Sequence, residues 1–251
     1  MSTPKRVAVI TGTASGIGKA LAESFLAKDY TVYGFDIKAT EINDSNFTSM
    51  VGDITDPEKL KVSIDAIEKS SGRIDVLVNN AGMQLISPIE AFDYANWQKV
   101  INLNLNACFL LSQYCFQVMK KNNDPCSIVN IGSIHSFEAS ANKAAYVAAK
   151  HGLLGLTRSL AVEGAEFNIK ANLVAPGFVK TPLVDQQIPK LAKEMNISEE
   201  AVINNVMLAK TVDKQFTTTD DVIRTVLFFA EFPSLALTGQ SLLVSHGQNM
   251  I

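Results

Sequence analysis

The sequence contains few cysteines and histidines, and none at the spacing of a metal site. Its three cysteines, Cys108, Cys115 and Cys126, are odd in number and form no C-x-x-C pair. This pattern favours reduced thiols in a cytoplasm over a disulfide framework, with all three side chains in the core. The three histidines also lack metal-ligand spacing, so we predict no catalytic metal.

An excess of positive charge and a long apolar run are also missing. The 22 Lys and Arg residues are outnumbered by 25 Asp and Glu residues and are scattered along the chain, which argues against a nucleic acid partner. The first apolar run, VAVI, is too short for a signal peptide, and no later run has the length of a membrane span. These absences predict a cytoplasmic protein with no membrane partner.

The pattern that is present is that of a large α/β domain. With 251 residues, 47% of them hydrophobic, the chain can bury a substantial core, and we predict a single domain over residues 1–251. Short β-branched runs alternate with helical patterns, which indicates a Rossmann-type, doubly wound, seven-stranded parallel sheet with helices on both faces. The predicted strands are RVAVIT, TVYGFD, FTSMVG, IDVLVNN, CSIVNIG, IKANLVA and QSLLVS, and the predicted helices cover about 16–28, 57–71, 96–121, 144–166 and 219–230.

One segment fits neither the strand pattern nor an ordinary connection. Residues 182–216 contain no predicted strand, mix Pro, Gln and amphipathic helix, and are longer than the usual loop between two elements. Insertions of this kind often close over a bound substrate. We therefore predict that residues 182–216 form a substrate lid.

A glycine-rich turn follows the first predicted strand. In TGTASGIGKAL, Gly12, Gly16 and Gly18 lead into a helix with the spacing G-x-x-x-G-x-G, which departs from the more familiar G-x-G-x-x-G. Glycines there let a pyrophosphate approach the N–H groups at the helix N-terminus. Asp36 ends the second strand, where its carboxylate can accept hydrogen bonds from an adenosine ribose and repel a 2′-phosphate. The pattern predicts binding of NAD rather than NADP.

Two further motifs follow predicted strands. Asp53, in GDITD after the third strand, is a candidate contact for adenine, and a role as a turn residue explains it nearly as well. The motif NNAG at residues 79–82 ends the fourth strand, beside the point where doubly wound sheets bind their ligands. Both motifs extend the predicted cofactor site along the carboxyl ends of the strands.

A phenol and an ammonium group are predicted on one helix face. Tyr146 and Lys150 lie four residues apart in an Ala-rich run, so their side chains rise from the same side, one turn apart. A nearby cation favours the phenolate form, so the pair could move a proton. The pattern Y-x-x-x-K is short, and an exposed helix with a solvated Lys would also produce it.

Together these motifs resemble the short-chain dehydrogenase/reductase family over essentially the whole chain. The resemblance rests on the T-G-x-x-x-G-x-G loop at residues 11–18, on N-N-A-G at 79–82, and on Ser133, Tyr146 and Lys150, whose Ser-to-Tyr interval is the family's usual one (146 − 133 = 13). The family's Asn, seven positions after Trp97, corresponds to Asn104.

The resemblance implies a dehydrogenase that uses NAD. Tyr146 would take the hydroxyl proton of the substrate as hydride moves to the nicotinamide, and Lys150 would assist it and bind the nicotinamide ribose. Ser133 would hold the substrate oxygen, and Asn104 would hold a water that relays protons through Lys150. The implied cofactor contacts are Gly12, Thr13, Ser15, Gly16, Ile17, Gly18, Asp36, Asp53, Ile54, Asn80, Ala81, Gly82, Tyr146, Lys150, Pro176, Gly177, Val179 and Thr181.

Four more polar residues resemble the branch of this family that acts on D-3-hydroxybutyrate. That branch binds the substrate carboxylate with two Gln, a His and a Lys, which correspond here to Gln84, His135, Lys143 and Gln187, with Gln186 as the alternative to Gln187. A cation and amide donors suit a carboxylate and would be left unpaired by a neutral alcohol. The implied substrate contacts are Gln84, Ser133, His135, Lys143, Tyr146 and Gln187.

Departures from this branch keep other functions open. Ser245, His246 and Gly247 stand where these enzymes usually have Asp-Gly-Gly, and residues 207–222 match the branch only loosely, which leaves a sugar, a polyol or a 3-oxoacyl thioester as substrate. A non-catalytic NAD-binding sensor or scaffold is a further alternative, and the intact Tyr146 and Lys150 argue against it. The family also implies a homotetramer built on the long helices at about 96–121 and 144–166.

Overall fold

The centre of the molecule is one parallel β-sheet. The computed structural model of the chain describes residues 5–122 and 124–250. The strands are β1 (Val7–Thr11), β2 (Thr31–Asp36), β3 (Phe47–Val51), β4 (Val76–Asn79), β5 (Cys126–Ile131), β6 (Ile169–Pro176) and β7 (Ser241–Val244). They pair in the order β3-β2-β1-β4-β5-β6-β7, with every pair parallel. The predicted seven-stranded doubly wound sheet is confirmed.

Helices connect the strands and cover both faces of the sheet. The α-helices are α1 (Gly16–Leu26), α2 (Pro57–Ser71), α3 (Tyr94–Ile101), α4 (Ala107–Met119), α5 (Ala144–Gly164), α6 (Pro182–Met195), α7 (Glu199–Val202) and α8 (Thr219–Glu231). Helices α1 and α8 contribute to the apolar cluster on one face, and α2, α4 and α5 contribute to the cluster on the other. Within residues 5–122 and 124–250, no helix has both the length and the apolar character needed to cross a membrane.

The central strands are apolar on both sides because both faces of the sheet are covered. In β1, Val7 and Val9 join one apolar cluster, whereas Ala8 and Ile10 join the other. This alternation follows from the two-residue period of a strand, which sends successive side chains to opposite faces. A buried parallel strand therefore reads as a continuous apolar run, which is the pattern in RVAVIT.

The long helix predicted at 96–121 differs from the prediction in its middle. Helices α3 and α4 are joined without a loop by one π-helical turn, Asn102–Asn106, rather than by regular α-helix. Single π-turns within α-helices are often found at functional sites, because they shift the direction of the side chains on one face. The side chain of Asn104 lies in this turn.

The predicted lid segment is largely helical. Helices α6 and α7 are followed by a second π-helical turn, Ile203–Met207. Apolar residues of this segment form a small cluster of their own, separate from the two clusters on the sheet faces: Val184, Ile188, Val202, Met207 and Leu208. The segment is therefore an ordered layer of helix at the carboxyl edge of the sheet, and its role as a lid stays a prediction.

A buried ion pair closes the opposite, amino-terminal edge of the sheet. Asp75 is fully buried, and its Oδ2 accepts hydrogen bonds from the Val7 backbone N–H at 2.7 Å and from Arg73 Nε at 2.9 Å. The Arg73 guanidinium also contacts the exposed Asp124 at 2.8 Å. Hydrogen bonding to Asp75 raises the pKa of Arg73, so the guanidinium remains charged. It ties the starts of β1 and β4 together.

Replacement of Asp75 by Ala is expected to lower the free energy of unfolding by about 3–5 kcal/mol, because it leaves a buried donor and a partly buried guanidinium without their acceptor. Urea unfolding monitored by circular dichroism measures this change. Asp124→Ala removes an exposed carboxylate from the same Arg73 and should cost about 1 kcal/mol or less. Equal losses in both variants would contradict a structural role for the buried pair.

Candidate active site

The candidate site lies where the strand order reverses. Strand β1 has β2 on one side and β4 on the other, so the chain segments that follow β1 and β4 diverge and leave a cleft at their carboxyl ends. The side chain of Thr11 connects these two segments, because its Oγ1 accepts hydrogen bonds from the backbone N–H groups of Asn80 at 3.0 Å and Ala81 at 2.9 Å. The glycine loop and the NNAG motif are thereby held side by side.

The glycines of the loop have two different functions in the structure. Gly16 has a positive φ of 58° and open space where a Cβ would be, and it lines the cleft. A Cβ on Gly18 would lie 2.0 Å from the carbonyl oxygen of Gly12, so Gly18 permits close packing between helix α1 and the loop. Gly16 therefore faces the space that a ligand would occupy, and Gly18 gives the loop its shape.

Asp36 is fixed at the rim of this cleft by backbone donors. Its Oδ2 accepts a hydrogen bond from the N–H of Ala14 at 3.0 Å, and its Oδ1 accepts one from the N–H of Lys38 at 3.1 Å. Each carboxylate oxygen has a second lone pair and can accept another hydrogen bond. Asp53 also lines the cleft and accepts from Thr55, so it is a turn residue and a cleft residue at once.

Most of the predicted cofactor residues line this cleft, which encloses about 370 Å³. They are Gly12, Ser15, Gly16, Ile17, Asp36, Asp53, Ile54, Asn80, Ala81, Gly82 and Thr181. Thr13 does not line it, because its side chain is fully buried and its hydroxyl pairs with that of Thr40 at 2.8 Å. Gly18 does not line the cleft either, because it packs against the backbone of Gly12. A nucleotide with an anionic diphosphate fits this combination of open glycine, helix N-terminus and acidic rim.

A second cavity continues from the first toward the lid and encloses about 240 Å³. The two share the residues Ile17, Asn80, Gly82 and Thr181. The predicted catalytic residues Asn104, Ser133, Tyr146 and Lys150 line the second cavity. The predicted substrate residues Gln84, His135, Lys143 and Gln187 line it as well. The cofactor residues absent from the first cleft, Pro176, Gly177 and Val179, also lie here.

The phenol and the ammonium group of helix α5 both reach this cavity. Lys150 is buried, and its Nζ donates a hydrogen bond to the carbonyl oxygen of Ile131 at 2.7 Å. The same Nζ lies 5.5 Å from the centre of the Tyr146 ring. One N–H of the ammonium is thus used to fix the side chain to strand β5, and the others are available to a ligand. The arrangement can support proton transfer at Tyr146.

Ser133 begins a short 3-10 helix, Ile134–Ser136, directly after β5. Its Oγ accepts a hydrogen bond from the N–H of His135 at 3.2 Å, so the hydroxyl hydrogen can point into the cavity. The Oγ of Ser136 in turn accepts from the N–H of Ser133 at 3.3 Å. These two bonds hold the Ser133 hydroxyl as a donor for an oxygen bound beside Tyr146.

Asn104 is held rigidly and presents one free oxygen. Its Nδ2 donates to the carbonyl oxygens of Met83 at 2.8 Å and Val100 at 2.9 Å. Its Oδ1 is buried and has no hydrogen-bond partner among the described residues. A Cβ on Gly82 would lie 2.7 Å from this oxygen, so the glycine keeps the space beside it free. A buried acceptor of this kind requires a donor such as a water molecule.

The predicted carboxylate-binding residues also line this cavity. Gln84 carries a buried Nε2 with no partner in the part of the chain that the structure describes. Gln187 comes from helix α6 of the lid segment, and it lines the cavity, whereas Gln186 is exposed to solvent. The geometry therefore selects Gln187 rather than Gln186 as the residue of the lid that can reach a bound substrate.

His135 and Lys143 are in contact beside Tyr146. Lys143 Nζ lies 3.3 Å from His135 Nε2, and His135 Nδ1 lies 3.3 Å from the carbonyl oxygen of Glu138. The rings of His135 and Tyr146 meet edge to face, with their centres 6.0 Å apart. Burial, followed by the nearby Lys143 ammonium, lowers the pKa of His135. Burial also lowers the pKa of Lys143, and the Glu138 carboxylate opposes this effect.

Sequence reasoning missed several residues of this region, and two of them lie close to Lys143 and His135. Phe178 lines the cavity, and its ring centre lies 5.8 Å from Lys143 Nζ. Glu138 contacts His135 through its backbone, and its carboxylate pairs with Lys210 at 3.2 Å, after the lid helices. The position of Phe178 directly after Pro176 and Gly177, two of the implied cofactor contacts, was an available signal. Nothing in the sequence pairs Glu138 with Lys210, because they lie 72 positions apart.

Comparisons with known proteins agree with this geometry. The chain is 38% identical over 246 residues to D-beta-hydroxybutyrate dehydrogenase of Rhizobium meliloti, with 93% of this chain and 95% of that protein covered. It is 32% identical to 3-oxoacyl-[acyl-carrier-protein] reductase of Thermotoga maritima, with 96% and 97% covered.

Among solved structures, 4-hydroxyisoleucine dehydrogenase complexed with NADH is similar with a TM-score of 0.81 and 25% identity, covering 98% of this chain and 99% of that one. The sequence model of the short chain dehydrogenase family matches residues 6–192. The resemblance found in the motifs is confirmed, and the chain belongs to the short chain dehydrogenase family.

Proposed function

We propose that the protein interconverts D-3-hydroxybutyrate and acetoacetate with NAD as the hydride acceptor. The observation that carries this proposal is the position of the Lys143 ammonium in the same cavity as Tyr146 and Lys150, which Gln84 and Gln187 also line. In a short hydroxy acid, the hydroxyl can bind next to Tyr146 while the carboxylate binds next to Lys143. The 38% identity to a D-beta-hydroxybutyrate dehydrogenase supports the same assignment.

NAD(H) is the cofactor of this oxidoreductase. When bound, it accepts hydride from the alcohol carbon or returns it to the ketone. In the proposal, the loop around Gly16 and the N-terminus of α1 hold its diphosphate, and Asp36 accepts hydrogen bonds from the adenosine ribose. Asp53 and Ile54 line the adenine end. Residues 176–181 line the nicotinamide end.

Residues of the second cavity carry out the proton transfer. Tyr146 takes the proton of the substrate hydroxyl during oxidation and returns it during reduction. Lys150 holds the nicotinamide ribose, and its ammonium lies beside the Tyr146 ring. Ser133 donates a hydrogen bond to the substrate oxygen, and the free Oδ1 of Asn104 holds a water beside Lys150.

The carboxylate end of the cavity provides discrimination between substrates. Gln84, His135, Lys143 and Gln187 form what we term the carboxylate clamp. A carboxylate pairs with the Lys143 ammonium and with the Nε2 of Gln84, which has no other partner among the described residues. A neutral alcohol of the same size would give the Lys143 ammonium no anionic partner and would leave the buried Nε2 of Gln84 without an acceptor, so its binding would be weaker.

Two other substrate classes and one non-catalytic function compete with this proposal. Sugars and polyols offer hydroxyls but no negative charge for Lys143. A 3-oxoacyl thioester, the substrate suggested by the Thermotoga maritima relative, also has no carboxylate at this position. A sensor or scaffold that binds NAD without turnover has no use for the arrangement of Ser133, Tyr146 and Lys150. A carboxylate substrate uses both ends of the cavity.

The remaining parts of the proposal concern organisation and location. The chain is one domain over residues 1–251, in which residues 182–216 close over the substrate and bring Gln187 to it. It works in the cytoplasm as a homotetramer that binds small hydroxy acids and keto acids. The exposed apolar side chains of Phe109 on α4 and Val162 on α5 support contacts between subunits through these two long helices.

The initial rate of NADH formation tests the proposed substrate. We expect activity with D-3-hydroxybutyrate and NAD, at least about 100-fold lower kcat/KM with the L enantiomer or with 2-butanol, and a preference for NAD over NADP of similar size, because each alternative loses a charged or oriented contact. Equal rates with 2-butanol would contradict the carboxylate clamp. Equal rates with NADP would contradict the role of Asp36.

A further inference from the structure

The turn that follows strand β7 contains a histidine in a backbone conformation that suits glycine. Residues 245–247 are Ser-His-Gly, and His246 has a positive φ of 51°. A side chain in this left-handed region costs free energy that glycine avoids. The backbone alone would therefore favour glycine at this position, and the contacts of the imidazole have to explain why a histidine stands there.

The imidazole contacts the last part of the predicted lid, residues 182–216. His246 Nδ1 lies 2.7 Å from Oδ2 of Asp213. Hydrogen bonding to His246 lowers the pKa of Asp213, so the carboxylate is ionised at neutral pH and accepts the hydrogen of Nδ1. The backbone N–H of Val212 donates to the carbonyl oxygen of His246 at 2.9 Å. Two hydrogen bonds thus join this turn to neighbouring residues of the lid segment.

The same turn packs against the nicotinamide end of the proposed cofactor site. The N–H of Gly177 donates to the carbonyl oxygen of Val244 at 3.0 Å. A Cβ on Gly177 would lie 3.2 Å from Cα of Ser245 and 3.3 Å from Oε1 of Gln248, so the turn touches this glycine closely. Gly177 itself lines the second cavity. Residues 244–248 therefore contact both the end of the lid segment and the wall of the cavity.

The part of the chain that His246 holds has little packing of its own. Residues 208–217 lead from the lid helices to helix α8, and their end is fixed at Thr217, whose N–H donates to the carbonyl oxygen of Phe178 at 3.0 Å. Their start is fixed by the small apolar cluster of the lid segment. Residues 212–215, between these two points, are all exposed. The contact with His246 restrains this exposed stretch.

We propose that His246 is a positioning residue, which anchors the carboxyl end of the lid segment against the nicotinamide end of the site. This inference rests on the proposed function and deepens it, because the lid brings Gln187 to the substrate. With the anchor in place, the lid is ordered before the substrate binds, so less binding free energy is lost in ordering it. Loss of the anchor should affect the order of the lid and the KM of the substrate, but not the affinity for the coenzyme.

A set of variants separates the side chain of His246 from its backbone. His246→Gly removes the imidazole together with the cost of a positive φ, Asp213→Ala removes the acceptor, and the double variant completes a double-mutant cycle. His246→Asn is the conservative replacement, because its Nδ2 is attached to Cγ as Nδ1 is in histidine, and asparagine tolerates a positive φ. Asp220→Ala, which removes an exposed carboxylate paired with Arg224 on helix α8, is the control.

Hydrogen exchange measured by mass spectrometry on the NADH-bound protein reports the order of the lid. We expect peptides within residues 208–217 to exchange about fivefold faster in His246→Gly and in Asp213→Ala, which is the size of effect that a partly exposed pair supports. The double variant should be no faster than Asp213→Ala, and His246→Asn should stay within about twofold of the original protein. Unchanged exchange in His246→Gly, or additive effects in the double variant, would overturn the proposal.

The melting temperature separates an anchor of the lid from a residue that supports the whole fold. His246→Gly should melt within about 2 °C of the original protein, because relief of the positive φ offsets the lost contact. A large fall in melting temperature, with faster exchange throughout the sheet, would show that His246 supports the fold in general and would overturn the proposal.

Steady-state kinetics with D-3-hydroxybutyrate and NAD provide the third measurement. We expect KM to rise about fivefold in His246→Gly, with changes below about twofold in kcat and in the Kd of NADH, whereas His246→Asn and Asp220→Ala keep the original KM. Faster lid exchange with an unchanged KM would overturn the proposal. If the original protein does not oxidise D-3-hydroxybutyrate, the proposed substrate is wrong, and hydrogen exchange alone decides whether His246 anchors the segment.

Discussion

A Tyr146→Phe variant is expected to lose about 10³-fold in kcat, within the range that a positioned acid or base contributes. The phenol is the proton acceptor of the proposed oxidation, and neither Ser133 nor Lys150 can replace it. Ser133 is held as a hydrogen-bond donor, and Lys150 is already tied to the carbonyl oxygen of Ile131. Steady-state rates of NADH formation measure the loss, and fluorescence titration measures the Kd of NADH, which should change by less than about twofold.

Tyr30→Phe provides a matched control for the loss of a phenolic hydroxyl. Tyr30 is buried beside Phe25, far from the cavity, and its hydroxyl has no hydrogen-bond partner among the described residues. Burial raises the pKa of Tyr30 to about 12, so it stays neutral. This variant should keep the original kcat. If Tyr146→Phe also kept it, the proposed proton acceptor would be wrong; if it lost NADH binding instead, Tyr146 would have a structural role.

Replacement of Lys143 by Ala should lower kcat/KM for D-3-hydroxybutyrate about 100-fold, through KM rather than kcat. The ammonium is the cation that pairs with the carboxylate in the ground state and in the transition state alike, and a lost charge-assisted hydrogen bond costs about 1.5–3 kcal/mol. The rate with 2-butanol should change by less than about threefold, because a neutral alcohol gains nothing from the charge. Specificity for acids over alcohols would then largely disappear.

Lys121→Ala serves as the control for the loss of a lysine. Lys121 follows helix α4 and pairs with Glu68 on the surface, so its removal should leave both rates unchanged. A fall in kcat without a change in KM for Lys143→Ala would place Lys143 in the chemical step. A loss that is equal for the acid and the alcohol would show that Lys143 supports the structure of the cavity rather than binding a carboxylate.

The fold could be predicted from the sequence because buried parallel strands and the helices that cover them each have a simple pattern of hydrophobic residues. RVAVIT contains the apolar run VAVI, and IKANLVA is apolar apart from Lys170 and Asn172; both form interior strands of the sheet. The glycine loop and the interval between Tyr146 and Lys150 follow from local geometry, which a short motif specifies. The glycine loop, the NNAG motif and helix α5 meet at adjoining cavities. Predicting this required knowledge of the strand order, which the family resemblance implied.

Other features depend on contacts that no local pattern encodes. No local pattern distinguishes a π-turn from regular helix, so the prediction of a regular helix at 96–121 missed the turn that carries Asn104. The choice between Gln186 and Gln187 depends on which face of α6 turns toward the cavity. Thr13 belongs to the glycine motif, yet its hydroxyl is turned inward to Thr40. The orientation of His135 depends on Glu138, whose carboxylate is paired with a lysine from a distant segment.

The hydrogen bond between Ala14 and Asp36 has a consequence for redesign of coenzyme preference. Removal of the Asp36 charge is the obvious first step toward a protein that uses NADP, but Asp36→Ala also removes one of the acceptors that hold the glycine loop. The N–H of Ala14 would then have no acceptor before any coenzyme binds. Asp36→Asn keeps an acceptor oxygen for Ala14 and removes the negative charge, so it is the better starting point for engineering a switch in coenzyme.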